Sequence, residues 1–294
     1  MSLSFVRVTH ARFSLPSRKT LSLLLSATLV SSLTPALVVL TAKSASAVAT
    51  VTRNIGTGSV TWSMSDFFIT EVNTSEPTGT TYASQSHGDA YDNMHIVDID
   101  NAGTGTPISG SYTTFGGAGT WNGNTSLYTA NSSSINGLTV NVSHKLSATH
   151  AAGRSLITLT NASASALTRT VRYSGNLGSD GSCQVKYTSK STSRTPTATQ
   201  CFTTAVNDVY WVTSSDNTGT DPAGRGSDPI VSYVYGTPNS AVTPNYQMSS
   251  DYTYTSWNVT VPANSTRIIM VAYGVGEIDS TKNSLGGAYD GVKN

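Results

Sequence analysis

The chain alternates between apolar and polar positions. In GLTVNVS (137–143), Leu138, Val140 and Val142 fall on one side, with Thr139 and Asn141 on the other. LTRTVRY (167–173) puts Leu167, Val171 and Tyr173 on one face and Thr168, Thr170 and Arg172 on the opposite one. CQVKY repeats the period with Cys183, Val185 and Tyr187, and WNVTV repeats it with Trp257, Val259 and Val261. A period of two with one apolar face marks a strand that has one side on a core. The same reading predicts strands over 60–64, 67–72, 94–99, 126–130, 155–160, 209–213, 230–235 and 267–272. Turn-rich clusters separate them, among them NAGTGTP, FGGAGTWNGN, TSSDNTGTDPAGRG and VPANST. No ten-residue stretch carries a helical face, and only GEIDSTKNSLGG could close a short helical turn. About a dozen strands with no fixed repeat predict an all-β protein, a single large antiparallel two-sheet sandwich. Two smaller sandwiches split near residue 150 are the alternative. HKLSATHAAGRSLITLTN crosses that point without a spacer, which favours one domain.

Residues 1–47 break the pattern. Arg7, Arg12, Arg18 and Lys19 form a basic leader, an apolar run follows over 21–40, and Ala45-Ser46-Ala47 is a small-x-small cleavage pattern. This predicts a signal peptide over 1–47, a mature start at Val48, a β-sandwich domain over 48–294 and a secreted, extracellular protein. A retained membrane anchor is the rival, since roughly 20 apolar residues can span a bilayer. Ser26, Ser31, Ser32, Thr34 and Pro35 interrupt the run.

Removing the leader changes the charge. Five of the 17 Lys and Arg leave with it and all 16 acids stay, so the mature chain carries −4. That excludes the basic stripe that nucleic acid or an anionic membrane surface would need. The two cysteines, Cys183 and Cys201, flank a 17-residue arm. After export an even count favours one disulfide, here across the base of a hairpin.

Four pieces of the chain, in order, are GDAYDNMHIVDID (88–100), RSLITLTNASASALTRTVRYSGNLGSDG (154–181), DVYWVTSSDNTGTDPAG (208–224) and YTSWNVTVPANSTRIIMVAYG (254–274). Together they resemble a group of secreted bacterial proteins. That group is similar to the two-sheet supersandwich of sugar-mutarotase-like and polysaccharide-lyase-associated domains. The resemblance implies the fold and a bacterial, secreted setting, and brings no catalytic motif. Within it, SGNLGSDG reads as a corner: Gly175, Gly178 and Gly181 free the backbone while Asn176 and Asp180 bond neighbouring amides.

Candidate chemistry is sparse. Asp216, Asn217, Asp221 and Asp228 share one Gly-rich loop and could offer calcium the hard oxygens it takes, although the same residues are ordinary in turns. DIDNAG fails as an EF-hand loop, with Ala102 at position five and Ser109 at position twelve. His87, His95, His144 and His150 form no short-spaced pair for zinc. Only Glu71, Glu76 and Glu277 are present and Gly-x-Ser-x-Gly is absent, so glycosidase and serine-hydrolase chemistry have little to build on. Asp89 and Asp92, in a GDAYD stretch that reads as a turn, are candidate ligand contacts. Trp121, in the TWNGN loop, is the candidate for stacking on a sugar. Trp62, Trp211 and Trp257, on strands, are expected in the core. The leading functional expectation is a secreted, non-enzymatic module binding carbohydrate or a cell-surface component. A structural or adhesive matrix protein comes second and a polysaccharide-active enzyme third.

Overall fold

The computed structural model describes residues 49–55, 58–65, 68–75, 86–91, 94–117, 119–123, 127–178, 185–193, 195, 200–214 and 230–275. The leader and the GEIDSTKNSLGG stretch lie outside them. The described residues form eighteen strands in three sheets, with no helix among them. A four-stranded meander comes first: β1 (Ala49–Ile55), β2 (Gly58–Ser65), β3 (Phe68–Ser75) and β4 (Ser86–Ala90). The five-stranded sheet runs β16 (Asn245–Ser249), β17 (Tyr252–Val261), β12 (Leu167–Asn176), β5 (Ile96–Asp100) and β6 (Tyr112–Thr114). The nine-stranded sheet begins with β13 (Val185–Thr188), β14 (Trp211–Ser214), β15 (Val231–Val234) and β18 (Ser265–Val275). It continues through β11 (Ala152–Asn161), β10 (Leu138–Leu146), β8 (Leu127–Ala130) and β7 (Gly119–Asn122), and β9 (Ser133–Ile135) pairs with β10. The strand pairs are antiparallel, and the two larger sheets pack face to face as an all-β sandwich.

The period of two decides what goes inside. On β10 the buried positions are Leu138, Val140, Val142, His144 and Leu146. β17 buries Trp257, Val259 and Val261, and β12 buries Val171 and Tyr173. Each fully buried Val or Leu contributes roughly 1.5–3 kcal/mol, so these faces fix the register. Trp62 of β2 reaches the same core and meets Tyr273 at a 5.8 Å centroid distance. Trp62 and Trp257 are buried as expected, while Trp211 is half-buried against Tyr187 and Ile230.

The familiar sequence pieces are corners. Asn161, at the end of β11, is fully buried. Its amide nitrogen lies 2.8 to 3.0 Å from the carbonyls of Ser165, Val261 and Pro262, and its oxygen accepts from Ser163. In SGNLG, the Asn176 oxygen accepts the Gly178 N–H at 2.6 Å and Gly178 sits at φ +69°, as the corner reading required. Asp100 ends β5 and gathers four backbone N–H groups. Its Oδ1 accepts from Gly103 (2.8 Å) and Thr170 (2.7 Å), and its Oδ2 accepts from Thr104 (2.9 Å) and Gly105 (2.8 Å). Gly103, at φ +69°, must be glycine because a Cβ there would stand 3.0 Å from the Thr168 carbonyl oxygen.

A backbone bridge closes the arm between the cysteines near its base. Val185 bridges Gln200 in antiparallel fashion, and the Gln200 N–H donates to the Val185 carbonyl at 3.1 Å. Cys201 follows that bridge and is not a free thiol. Cys183 lies outside the described residues. We expect the two to be bonded, with a loop-closure contribution of ~3 kcal/mol on the chain-entropy estimate. Thiol labelling of non-reduced, unfolded protein should find no free thiol, and two labelled cysteines would remove the staple.

Candidate functional site

Strand parity turns one polar, aromatic face of the five-stranded sheet away from the core. Register sets Ser256 opposite Arg172, Arg172 opposite Asp98 and Asp98 opposite Thr114, so one row crosses β17, β12, β5 and β6. Two nitrogens of the Arg172 guanidinium stand 2.9 Å from Asp98 Oδ2, and Thr114 donates to Asp98 Oδ1 at 2.6 Å. The guanidinium lies 4.1 Å from the centre of the Tyr112 ring and 5.7 Å from that of Tyr254. Tyr252 stacks beside Tyr254 at 6.1 Å. The Ser256 hydroxyl, in the same row, is buried with no partner among the described residues.

Tyr112 is held from behind. Its hydroxyl donates to the Thr106 carbonyl at 2.6 Å, and a Cβ at Gly105 would come 2.5 Å from that hydroxyl. The loop that touches Tyr112 is itself fixed by the Asp100 carboxylate. Asp100 therefore positions the loop, the loop positions the ring, and the ring supports Arg172. Burial pushes the Tyr112 phenol up to about 12, against the opposing pull of Arg172. Burial raises Tyr254 as well, again with Arg172 opposing. Both phenols therefore stay neutral donors at physiological pH.

A second constellation lies between the sheets. His95 Nδ1 bonds to the Tyr173 hydroxyl, which is 2.7 Å from Ser155 Oγ, which is 2.6 Å from His144 Nδ1. Three links need three hydrogens, and Tyr173 and Ser155 supply one each. One of the two imidazoles must therefore carry its proton on Nδ1. All four side chains are buried. His95 sits at φ +76° and Tyr91 at φ +60°, both unusual for residues with a Cβ. The Tyr91 hydroxyl lies 2.6 and 2.7 Å from the Ser232 and Gly274 carbonyls, pinning this strained segment to β15 and β18. The His95 and His144 rings are 5.5 Å apart, and Tyr273 lies 4.1 Å from His95. Burial, then the neighbouring His144, drives the His95 pKa well below its usual value. This is a buried proton-sharing chain with no exposed member, so it does not present a group to a substrate.

The sequence-based candidates are placed elsewhere. Trp121 is not in a loop: it sits on edge strand β7, half-buried and packed against the core. Asp89 is on β4, so its half of GDAYD is strand, not turn; Asp92 lies outside the described residues. Asp216, Asn217, Asp221 and Asp228 also lie outside them. Among the described residues no group of three or more His, Cys, Asp or Glu side chains could hold a metal ion.

No protein-family model matches the sequence, and no curated protein matches it. Solved structures are similar in fold. A galactose mutarotase-like protein from Lactobacillus casei matches at 8% identity and a TM-score of 0.35, covering 77% of this chain and 100% of that one. A polysaccharide lyase matches at 7% and 0.43, covering 78% and 34%, and a 4-alpha-glucanotransferase from Thermococcus litoralis at 7% and 0.42, covering 78% and 37%. The chain thus spans about a third of the last two proteins.

Proposed function

We propose that the protein is a secreted, non-enzymatic carbohydrate-binding module, and that the sugar lies on the outward face of the five-stranded sheet. The row of Tyr112, Arg172 and Asp98 beside Tyr254 and Tyr252 carries this reading. A pyranose offers an apolar C–H face and a ring of hydroxyls. Phenol rings cover the first, and a guanidinium next to a carboxylate satisfies the second. The face is held in place before any ligand arrives, which lowers the ordering cost of binding. It lacks a free acid–base pair, since Asp98 is engaged by Arg172 and Thr114.

Affinity electrophoresis against a panel of soluble polysaccharides tests this. Binding to at least one is expected, and Tyr254→Ala should weaken it about tenfold, the loss of roughly 1.4 kcal/mol of ring contact. Failure to bind any polysaccharide, or binding untouched by Tyr254→Ala, would sink the reading.

One observation favours a structural role instead. Exposed threonines pair across strands, Thr168 with Thr260 at 2.8 Å and Thr160 with Thr266 at 3.0 Å. Such ladders stiffen flat faces of the kind used in assembly. A chain that forms concentration-dependent oligomers and binds no glycan would fit that second reading.

A further inference from the structure

The nine-stranded sheet opens on one side of β18. β15 follows β18 only from Val231, opposite Val275, to Val234, opposite Ala272. Beyond that point Tyr235 and Gly236 donate their N–H groups to the Tyr210 carbonyl at 3.0 and 3.2 Å, and the chain leaves β18. The β18 edge from Thr266 to Met270 therefore has no strand beside it on that flank among the described residues. A cleft of about 400 Å³ fills the gap, a size suited to a small ligand. Trp257 and Val259 line it from β17, Val242 from the loop after β15, and Ile268 and Met270 from β18. Ile268 and Met270 are 61% and 56% exposed, which is costly for apolar side chains on one strand.

The charge in this cleft is one-sided. Among the described residues that line it, Arg267 is the sole ionised side chain and no carboxylate belongs to the lining. Arg267 is exposed, level with Leu159 on the inward side of β18, and it has no hydrogen bond or ion pair among the described residues. An apolar trough with one unpaired cation is complementary to a molecule with an apolar chain and one negative head. We propose that the cleft between β15 and β18 binds a small amphiphilic carboxylate. Its hydrocarbon chain lies along the open edge of β18 against Val242 and Ile269, beside the edges of Trp257 and Val259, and its carboxylate pairs with Arg267. None of Asp98, Tyr112, Arg172, Tyr252 and Tyr254 of the outward row lines the cleft.

Isothermal titration with decanoate, decan-1-ol and acetate tests the assignment on the intact protein. Decanoate should bind, decanol should bind about fivefold more weakly, the worth of one partly exposed ion pair, and acetate should not bind. Arg267→Gln should abolish the preference for decanoate and leave decanol unchanged, and Arg267→Lys should keep it. Arg267 is exposed, so both variants should melt with the native protein. Failure of decanoate to bind, equal affinity for decanol, or an Arg267→Gln variant with full decanoate affinity would each overturn the proposal. So would flotation with anionic phospholipid vesicles in the absence of decanoate binding, or sedimentation as a dimer that excludes decanoate. Polysaccharide binding should be unaltered by Arg267→Gln, which keeps this test independent of the sugar reading.

Discussion

Asp100→Ala is expected to lower stability by about 3–5 kcal/mol, because it strands four backbone N–H groups that one buried carboxylate now satisfies. Each hydrogen bond to a charged group is worth about 1.5–3 kcal/mol, and water reaching the opened loop recovers part of the loss. Asp100→Asn should fall between the two. Its single oxygen can serve only one pair of donors, and its amino group would face the other pair. The effect should extend to the sheet face, since the loop that Asp100 fixes holds Tyr112, and Tyr112 supports Arg172. Urea melts give the stability change, and polysaccharide affinity of the still-folded fraction gives the second effect. The pH dependence has a defined sign. Burial works to raise the Asp100 pKa, but the four amides outweigh it and the folded value is lowered. The stabilisation is therefore complete above the unfolded carboxyl value of about 3.9 and is lost as pH falls through the lower folded value. A variant as stable as the native chain would mean that the loop holds itself.

The alternation that predicted β10, β12 and β17 worked because each of those strands has one face on the core. Short edge strands escaped the same test. β6, β7, β9 and β16 are three to five residues long and rich in Thr, Ser, Asn or Gly. For β6 and β7 the extended form comes from a neighbouring strand, not from an apolar face of their own, while β9 and β16 bury only Ile135 and the pair Tyr246 and Met248. Trp121 was read as a loop residue for that reason. Pairing order was equally out of reach, since β18 joins β11 more than a hundred residues away. The outward row was half legible: Thr170 and Arg172 fell on the polar face, but nothing in the spacing placed Asp98, Tyr112 or Tyr254 beside them. For the buried chain a signal did exist. His144 sits in phase with Leu138, Val140 and Val142, Ser155 with Ile157 and Leu159, and Tyr173 with Val171. A polar residue on the apolar phase of a strand must find a partner inside. Searching for paired histidines by short spacing missed it, because His95 sits just before β5 of one sheet and His144 lies on β10 of the other.

His95 should make the fold acid-sensitive well above the carboxyl range. Around it are Tyr91, Tyr173, Tyr273, Ser155 and His144, all neutral or polar, and no carboxylate among the described residues stands near enough to stabilise an imidazolium. Burial is the larger cause of its lowered pKa, and His144 adds to it. The unfolded chain takes up a proton near pH 6.5 and the folded chain does not, so the unfolded state binds more protons below that value. Stability is then full above about pH 6.5 and falls by up to about 1.4 kcal/mol per pH unit beneath it, until the folded-state pKa is reached. Stability is therefore lost progressively as pH falls below about 6.5, against a typical domain's margin of only about 5–15 kcal/mol. Urea midpoints measured across that range should decline steadily in the native protein. In His95→Gln, which keeps an amide near Tyr173 but cannot titrate, the decline should shrink by about one proton's worth even if the variant starts less stable. A slope that is the same in both proteins would show that His95 gains its proton without unfolding the sandwich, and that the buried chain tolerates a charge its surroundings give no visible means to balance.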